Sequence, residues 1–174
     1  SNKIICALDF DNLTNAADFV SKINYDIVFK VGMEFFFNFG LEGVNKIRKK
    51  KPGVKLFLDL KLHDIPNTVA SSLFPLIENI RPYMITLHVS GGSVMLKEAV
   101  KAVNHICEKR NFKKPIILGV TILTSLAQED MTMLGHSNTI QDYVVKYSEL
   151  AHKSGLNGVV CSALETKLVK SLYK

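Results

Sequence analysis

Asp59, Lys61 and Asp64 stand close together in the segment Leu56-Phe57-Leu58-Asp59-Leu60-Lys61-Leu62-His63-Asp64. A carboxylate and an ammonium side by side at that spacing mark a catalytic strand end. Side chains on a strand alternate faces, so Leu56, Leu58, Leu60 and Leu62 are expected on one face. Phe57, Asp59, Lys61 and His63 fall on the other. The strand sits between helical patterns, which implies a parallel sheet covered by helices, so its charged face points into an enclosed space. Charges there are costly to desolvate unless paired, and the usual reason to keep them is a site. Asp64 lies just past the strand, before Ile65-Pro66-Asn67-Thr68 opens a helix, where it suits a helix N-cap as well as a site residue.

The elements that must position these groups alternate along the whole chain. Strand-like apolar runs are predicted at Lys3–Asp9, Asp26–Val31, Val54–Leu60, Tyr83–Val89, Pro115–Thr121 and Gly158–Cys161. Helical stretches are predicted between and after them, at Leu13–Lys22, Glu34–Lys50, Asn67–Ile80, Ser93–Lys109, Ile140–Lys153 and Ala163–Leu172. Thr139 is placed to cap the fifth helix and Gly155 to end it. No linker-like or low-complexity stretch divides the chain.

Six successive βα units imply a parallel sheet with right-handed crossovers. Two closures compete, a doubly wound open sheet and a barrel. Asp9, Lys30, the Asp59–Lys61 pair and His88 each fall at or near a strand end, and polar groups converging at one mouth are how barrel enzymes build sites. The turn after the first strand, Asp9-Phe10-Asp11-Asn12, lacks the GxGxxG of a dinucleotide-binding sheet. The expected fold is therefore an α/β class (β/α)8 TIM barrel with about six βα units in these residues. Residues 1–174 are read as a single barrel domain, with strands seven and eight missing from them.

Composition sets bounds. A hydrophobic fraction of 47% and a charged fraction of 22% fit a soluble globular protein. No apolar run approaches the roughly 20 residues of a membrane span, and no signal-peptide pattern opens the chain, so a cytoplasmic location is expected. Cys6, Cys107 and Cys161 lack metal spacing and read as reduced thiols. The net charge of +6 raises a nucleic-acid reading. However, the densest clusters, Arg48–Lys51 and Lys109–Lys114, sit at predicted helix C-termini and complement the helix dipole there. No nucleic-acid partner is expected.

Six stretches of the chain then resemble one family, the bacterial-type orotidine 5′-phosphate decarboxylases. They are Ala7-Leu8-Asp9, Phe29-Lys30-Val31-Gly32-Met33-Glu34, Phe57 to Thr68 with its DxKxxD, Leu87-His88-Val89-Ser90-Gly91-Gly92, Val120 to Ser125, and Gly155 to Ser162. The resemblance implies decarboxylation of orotidine 5′-phosphate to UMP in pyrimidine synthesis, without metal or organic cofactor. It implies that Asp9 binds the ribose and that Lys30 sits between ribose hydroxyls and Asp59. Asp59 then faces the substrate carboxylate, and Lys61 protonates the ring carbon that loses CO₂. Asp64 and Thr68 reach across a homodimer interface into the neighbouring site, and Thr124 holds the pyrimidine. The family's phosphate grip, a TPGIR-like loop and a Gly-Arg pair after strands seven and eight, is expected outside these residues.

Two other readings compete. Metal-dependent relatives, resembling 3-keto-L-gulonate 6-phosphate decarboxylase or hexulose-phosphate synthase, share DxKxxD but place a magnesium-binding Glu near the end of strand two. Lys30 stands there in this chain and supplies the cation from the protein. A non-catalytic fragment or dimerisation module is the reading from a different class. His63 and His88 read as structural histidines, because Lys30 and Lys61 nearby would repel a divalent cation.

Overall fold

In the computed structural model, which describes residues 4–172, the alternating pattern becomes six strands and seven helices among the described residues. The strands are β1 (Ile5–Ala7), β2 (Val28–Gly32), β3 (Lys55–Leu62), β4 (Met84–His88), β5 (Ile116–Val120) and β6 (Gly158–Val160). The helices are α1 (Leu13–Lys22), α2 (Met33–Lys50), α3 (Pro66–Ile80), α4 (Gly92–Arg110), α5 (Gln128–Met133), α6 (Ile140–Lys153) and α7 (Thr166–Ser171). Lys3, where the first strand was expected to begin, lies outside the described residues.

Every strand pairs in parallel with its neighbour in sequence, giving the order β1-β2-β3-β4-β5-β6. A doubly wound sheet must reverse its order at a switch point, and this one never does. The fold is that of a (β/α) barrel, with six of its units present. All strands run the same way, so their C-terminal ends gather at one mouth.

Helix ends follow the local chemistry. The Asn12 side chain accepts from the backbone N–H groups of Thr14 and Asn15 and starts α1. Thr139 and Asp142 form a reciprocal capping box at the start of α6. Gly155, at φ +86°, lets the chain leave that helix in a conformation other residues avoid. The core is built from helix faces against the sheet: Val69, Leu73, Ile77 and Ile80 of α3, and Met95, Leu96, Ala99, Val103 and Ile106 of α4, are all buried. Burying one such large side chain contributes about 1.5–3 kcal/mol.

Three expectations need correction. The long connection after β5 contains a short helix, α5, which the sequence pattern did not predict. The last predicted helix, Ala163–Leu172, divides into a 3₁₀ turn at Ala163–Glu165 followed by α7. The strict alternation expected along β3 also fails near its end. Leu56 and Leu58 are buried, but Leu60 and Leu62 are only half-buried. The ladder pairs Leu58 with Ile85 and then Leu62 with Leu87, so β3 spends four residues where β4 spends two. Lys61 takes up the excess at φ +49°, a left-handed conformation rare for a residue with a side chain.

Candidate active site

Asp59 is the hub of the strand ends. It lies on β3 and is 7% exposed, the one charged residue in the buried set among the described residues. One carboxylate oxygen, Oδ2, accepts a hydrogen bond from Lys61 Nζ at 2.9 Å and lies 3.6 Å from Lys30 Nζ. The other, Oδ1, accepts from the hydroxyl of Thr86 at 2.9 Å. A buried carboxylate needs such compensation, and two cations with a hydroxyl provide it.

Lys30 reaches this point from β2. It also lies 3.8 Å from Asp9 Oδ1, just beyond β1. Leu8 holds Asp9 beside Lys30, because its backbone N–H donates to the Lys30 carbonyl at 2.9 Å. Both Lys30 contacts exceed hydrogen-bond length, so they are ion pairs that leave its N–H donors open to a bound molecule. The charges run Asp9, Lys30, Asp59, Lys61 across three adjacent strand ends. Alternating signs balance the row and expose the outer carboxylate, Asp9, whose side chain is 61% accessible.

Four predicted site residues are thus brought together: Asp9, Lys30, Asp59 and Lys61. Three are not joined to them within this chain. Asp64 is exposed, and its carboxylate accepts from the N–H of Ile65, which itself stands at the N-cap of α3. The helix-capping reading of Asp64 is therefore corrected: Pro66 opens the helix one residue later than that reading needs, and Asp64 stands outside it. Thr68 is exposed in the first turn of α3, and Thr124 is exposed in the turn after β5.

Two residues that contribute to the site were not singled out in the sequence. Thr86 on β4 is fully buried and contacts the site through its hydroxyl. Its signal was a lone hydroxyl inside the apolar run Met84-Ile85-Thr86-Leu87, since a buried hydroxyl must find partners. Gly32 pairs with Asp59 in the sheet, and a Cβ there would sit 3.3 Å from Lys30 Nζ. A side chain at position 32 would crowd the ammonium group.

The rings of His63 and His88 lie tilted at 43° with centroids 5.4 Å apart. Burial first, then His63 and the Lys61 ammonium, lower the His88 pKa from its ordinary value, with Asp59 acting in the opposite direction. No group of three or more His, Cys, Asp or Glu side chains is arranged to hold a metal among the described residues. A cavity of about 420 Å³, lined by Lys55, Arg81, Tyr83 and Phe112 among others, opens at the N-terminal ends of β3 and β4. That is the opposite end of the strands from Asp59, and barrel chemistry belongs at the C-terminal end.

Comparison with known proteins identifies the family and the fold. Residues 2–173 match the family described as orotidine 5′-phosphate decarboxylase / HUMPS. The chain is 41% identical over 169 residues to orotidine 5′-phosphate decarboxylase of Wolbachia sp. subsp. Brugia malayi, covering 97% of this chain and 71% of that one. It is 42% identical over 174 residues to the enzyme of the same name from Carboxydothermus hydrogenoformans, covering 99% and 70%. Among solved structures, orotidine 5′-phosphate decarboxylase from Lactobacillus acidophilus superimposes with a TM-score of 0.88 at 34% identity, over 98% of this chain and 76% of that one. The chain belongs to the orotidine 5′-phosphate decarboxylase / HUMPS family.

Proposed function

We propose that the protein decarboxylates orotidine 5′-phosphate to UMP, with Asp59, Lys30 and Lys61 as the reacting centre. The activity follows from the family and from relatives at about 40% identity that carry this name. The observation that carries the assignment of residues is the Asp59 carboxylate bracketed by two lysines at the C-terminal mouth of the strands. The magnesium-dependent alternative is not favoured, because Lys30 occupies the place where that reading needs an acidic ligand.

The chemistry can be written from these groups. The substrate carboxylate is seated beside Asp59, and the bond between it and the pyrimidine ring breaks. CO₂ leaves, and the electron pair stays on the ring carbon. Lys61 stabilises that charge and transfers a proton to it, then regains one from water. Two unit charges about 4 Å apart at an effective dielectric near 20 interact by about 4 kcal/mol, which bounds the repulsion from Asp59. Enzymes lower barriers by roughly 8–23 kcal/mol, so carbanion stabilisation and remote binding energy must supply most of the effect.

Around this centre, Asp9 and Lys30 are assigned to the ribose hydroxyls and Thr124 to the pyrimidine. Asp64 and Thr68, which are exposed and make no ion pair with the Asp59 hub in their own chain among the described residues, are assigned to the neighbouring site of a homodimer. Residues 1–174 are assigned to one barrel domain of a cytoplasmic enzyme that uses no cofactor, nucleic acid or membrane. The direct test is to incubate the full-length protein with orotidine 5′-phosphate and measure CO₂ and UMP. Stoichiometric release of both is expected, and release of neither would overturn the reading.

A further inference from the structure

We propose that Thr86 is a positioning residue that sets both the Asp59 carboxylate and the Lys61 backbone for decarboxylation. The inference rests on the decarboxylase reading above, and it concerns a fully buried residue that holds two site residues. The Thr86 hydroxyl donates to Asp59 Oδ1 at 2.9 Å and accepts from the Lys61 backbone N–H at 2.9 Å. A single buried hydroxyl therefore joins the two residues that carry the chemistry.

The position explains why a hydroxyl is needed. Between Leu58 and Leu62 the β3–β4 ladder loses its register, and Lys61 turns to φ +49°. A backbone N–H displaced from a ladder must find another partner when it is shielded from water. Thr86 meets that need and spends its proton on the carboxylate oxygen that neither lysine takes. The Asp59 carboxylate is thus fixed from both sides, by Lys61 and Lys30 on Oδ2 and by Thr86 on Oδ1. Thr121, the other buried threonine among the described residues, behaves differently: its hydroxyl donates to the Val160 carbonyl and serves only the sheet. β-Branching helps as well, because it restricts χ1 and holds the Thr86 hydroxyl in one direction.

The test compares Thr86→Val, which has the same shape and no hydroxyl, with Thr86→Ser, which restores the hydroxyl. Thr86→Cys, similar in size but a weak hydrogen-bonding group, serves as a second variant if the valine protein does not fold. In the full-length protein, Thr86→Val should lower kcat about 10–100-fold with KM within about threefold of wild type, since small misplacement of reacting groups has effects of this size. Thr86→Cys should fall in the same direction, and Thr86→Ser should stay within about threefold of wild type. Hydrogen exchange at the Lys61 amide is measured in parallel and should accelerate at least about tenfold in Thr86→Val but not in Thr86→Ser. A kcat unchanged in the valine and cysteine variants, a change confined to KM, or a Lys61 amide equally protected without the hydroxyl would overturn the proposal. Wild-type protein inactive on orotidine 5′-phosphate would instead overturn the functional reading, and amide exchange would still judge the role of Thr86.

Discussion

Asp59 and Lys61 meet at 2.9 Å across a backbone that leaves strand geometry at the lysine, where φ is +49°. On a regular strand, residues two apart share a face, with their Cα atoms separated by about 6.5 Å. Here the extra length of β3 relative to β4 is absorbed between Leu58 and Leu62, and the chain turns locally left-handed as it presents the ammonium group. For an L-residue that conformation costs about 1–2 kcal/mol, and such strain persists where surrounding contacts over-determine it. The hydrogen bonds from Lys61 to Asp59 and to Thr86 are those contacts.

This relationship predicts a separation of activity from stability at position 61. Lys61→Ala should lower decarboxylation at least about a hundredfold, because it removes both the proton donor and the cation. Lys61→Gly should be equally inactive, yet at least as stable to heat as the alanine variant, since glycine tolerates positive φ. Steady-state rates and thermal midpoints for the two variants check this. Retention of more than about a tenth of wild-type activity in Lys61→Ala would remove Lys61 as the proton donor.

The same residues explain what could be read from the sequence and what could not. Strand and helix positions were legible because apolar runs alternate with amphipathic stretches, and α1 and α6 begin and end where their patterns and caps place them. The ion-pair row was legible because charged residues recur at strand ends. The bulge at Lys61 was hidden by a perfect alternation of leucines, Leu56 to Leu62, that fits a regular strand equally well. It arises from pairing with β4, a property of two segments that no local pattern contains. Thr86 shows locally only as a lone hydroxyl in an apolar run, and what that hydroxyl bonds depends on partners on another strand. Helix α5 is too short to show a helical period.

Metal removal offers an independent check on the charge row. Lys30 and Lys61 already neutralise Asp59, so activity should survive exhaustive EDTA treatment. Assays before and after chelation, with and without added magnesium, decide this. A loss restored by magnesium would favour the metal-dependent reading.

His88 gives a pH prediction. Its folded-state pKa is lowered, first by burial and then by His63 and Lys61, with Asp59 opposing weakly. Between that lowered value and the unfolded value of 6.5, the unfolded chain binds more protons than the folded chain. The stabilisation from keeping His88 neutral is therefore complete above pH 6.5 and declines as pH falls through that window. Asp18 and Asp142 are likewise lowered, from 3.8, so they act only in stronger acid. Thermal midpoints at about pH 7.5 and 5.5 should fall less for His88→Asn than for wild type. Equal falls would show that His88 does not govern this range.

Assembly is tested by mixing two inactive proteins. Asp64 lies exposed just before α3 and Thr68 exposed in its first turn, and Asp64 forms no ion pair with Lys30 or Lys61 in its own chain among the described residues. If they serve the neighbouring site, Lys61→Ala and Asp64→Ala should complement each other. In a hybrid dimer, one site lacks both groups and the other has both, because Lys61 comes from one subunit and Asp64 from its partner. Random exchange of equal amounts makes roughly half of the dimers hybrid, so about a quarter of wild-type activity should return. Subunit exchange is verified by mass-tagged hybrids, which separates failed mixing from failed complementation. Hybrids that form and remain as inactive as the parent variants would show that each site is built from a single chain.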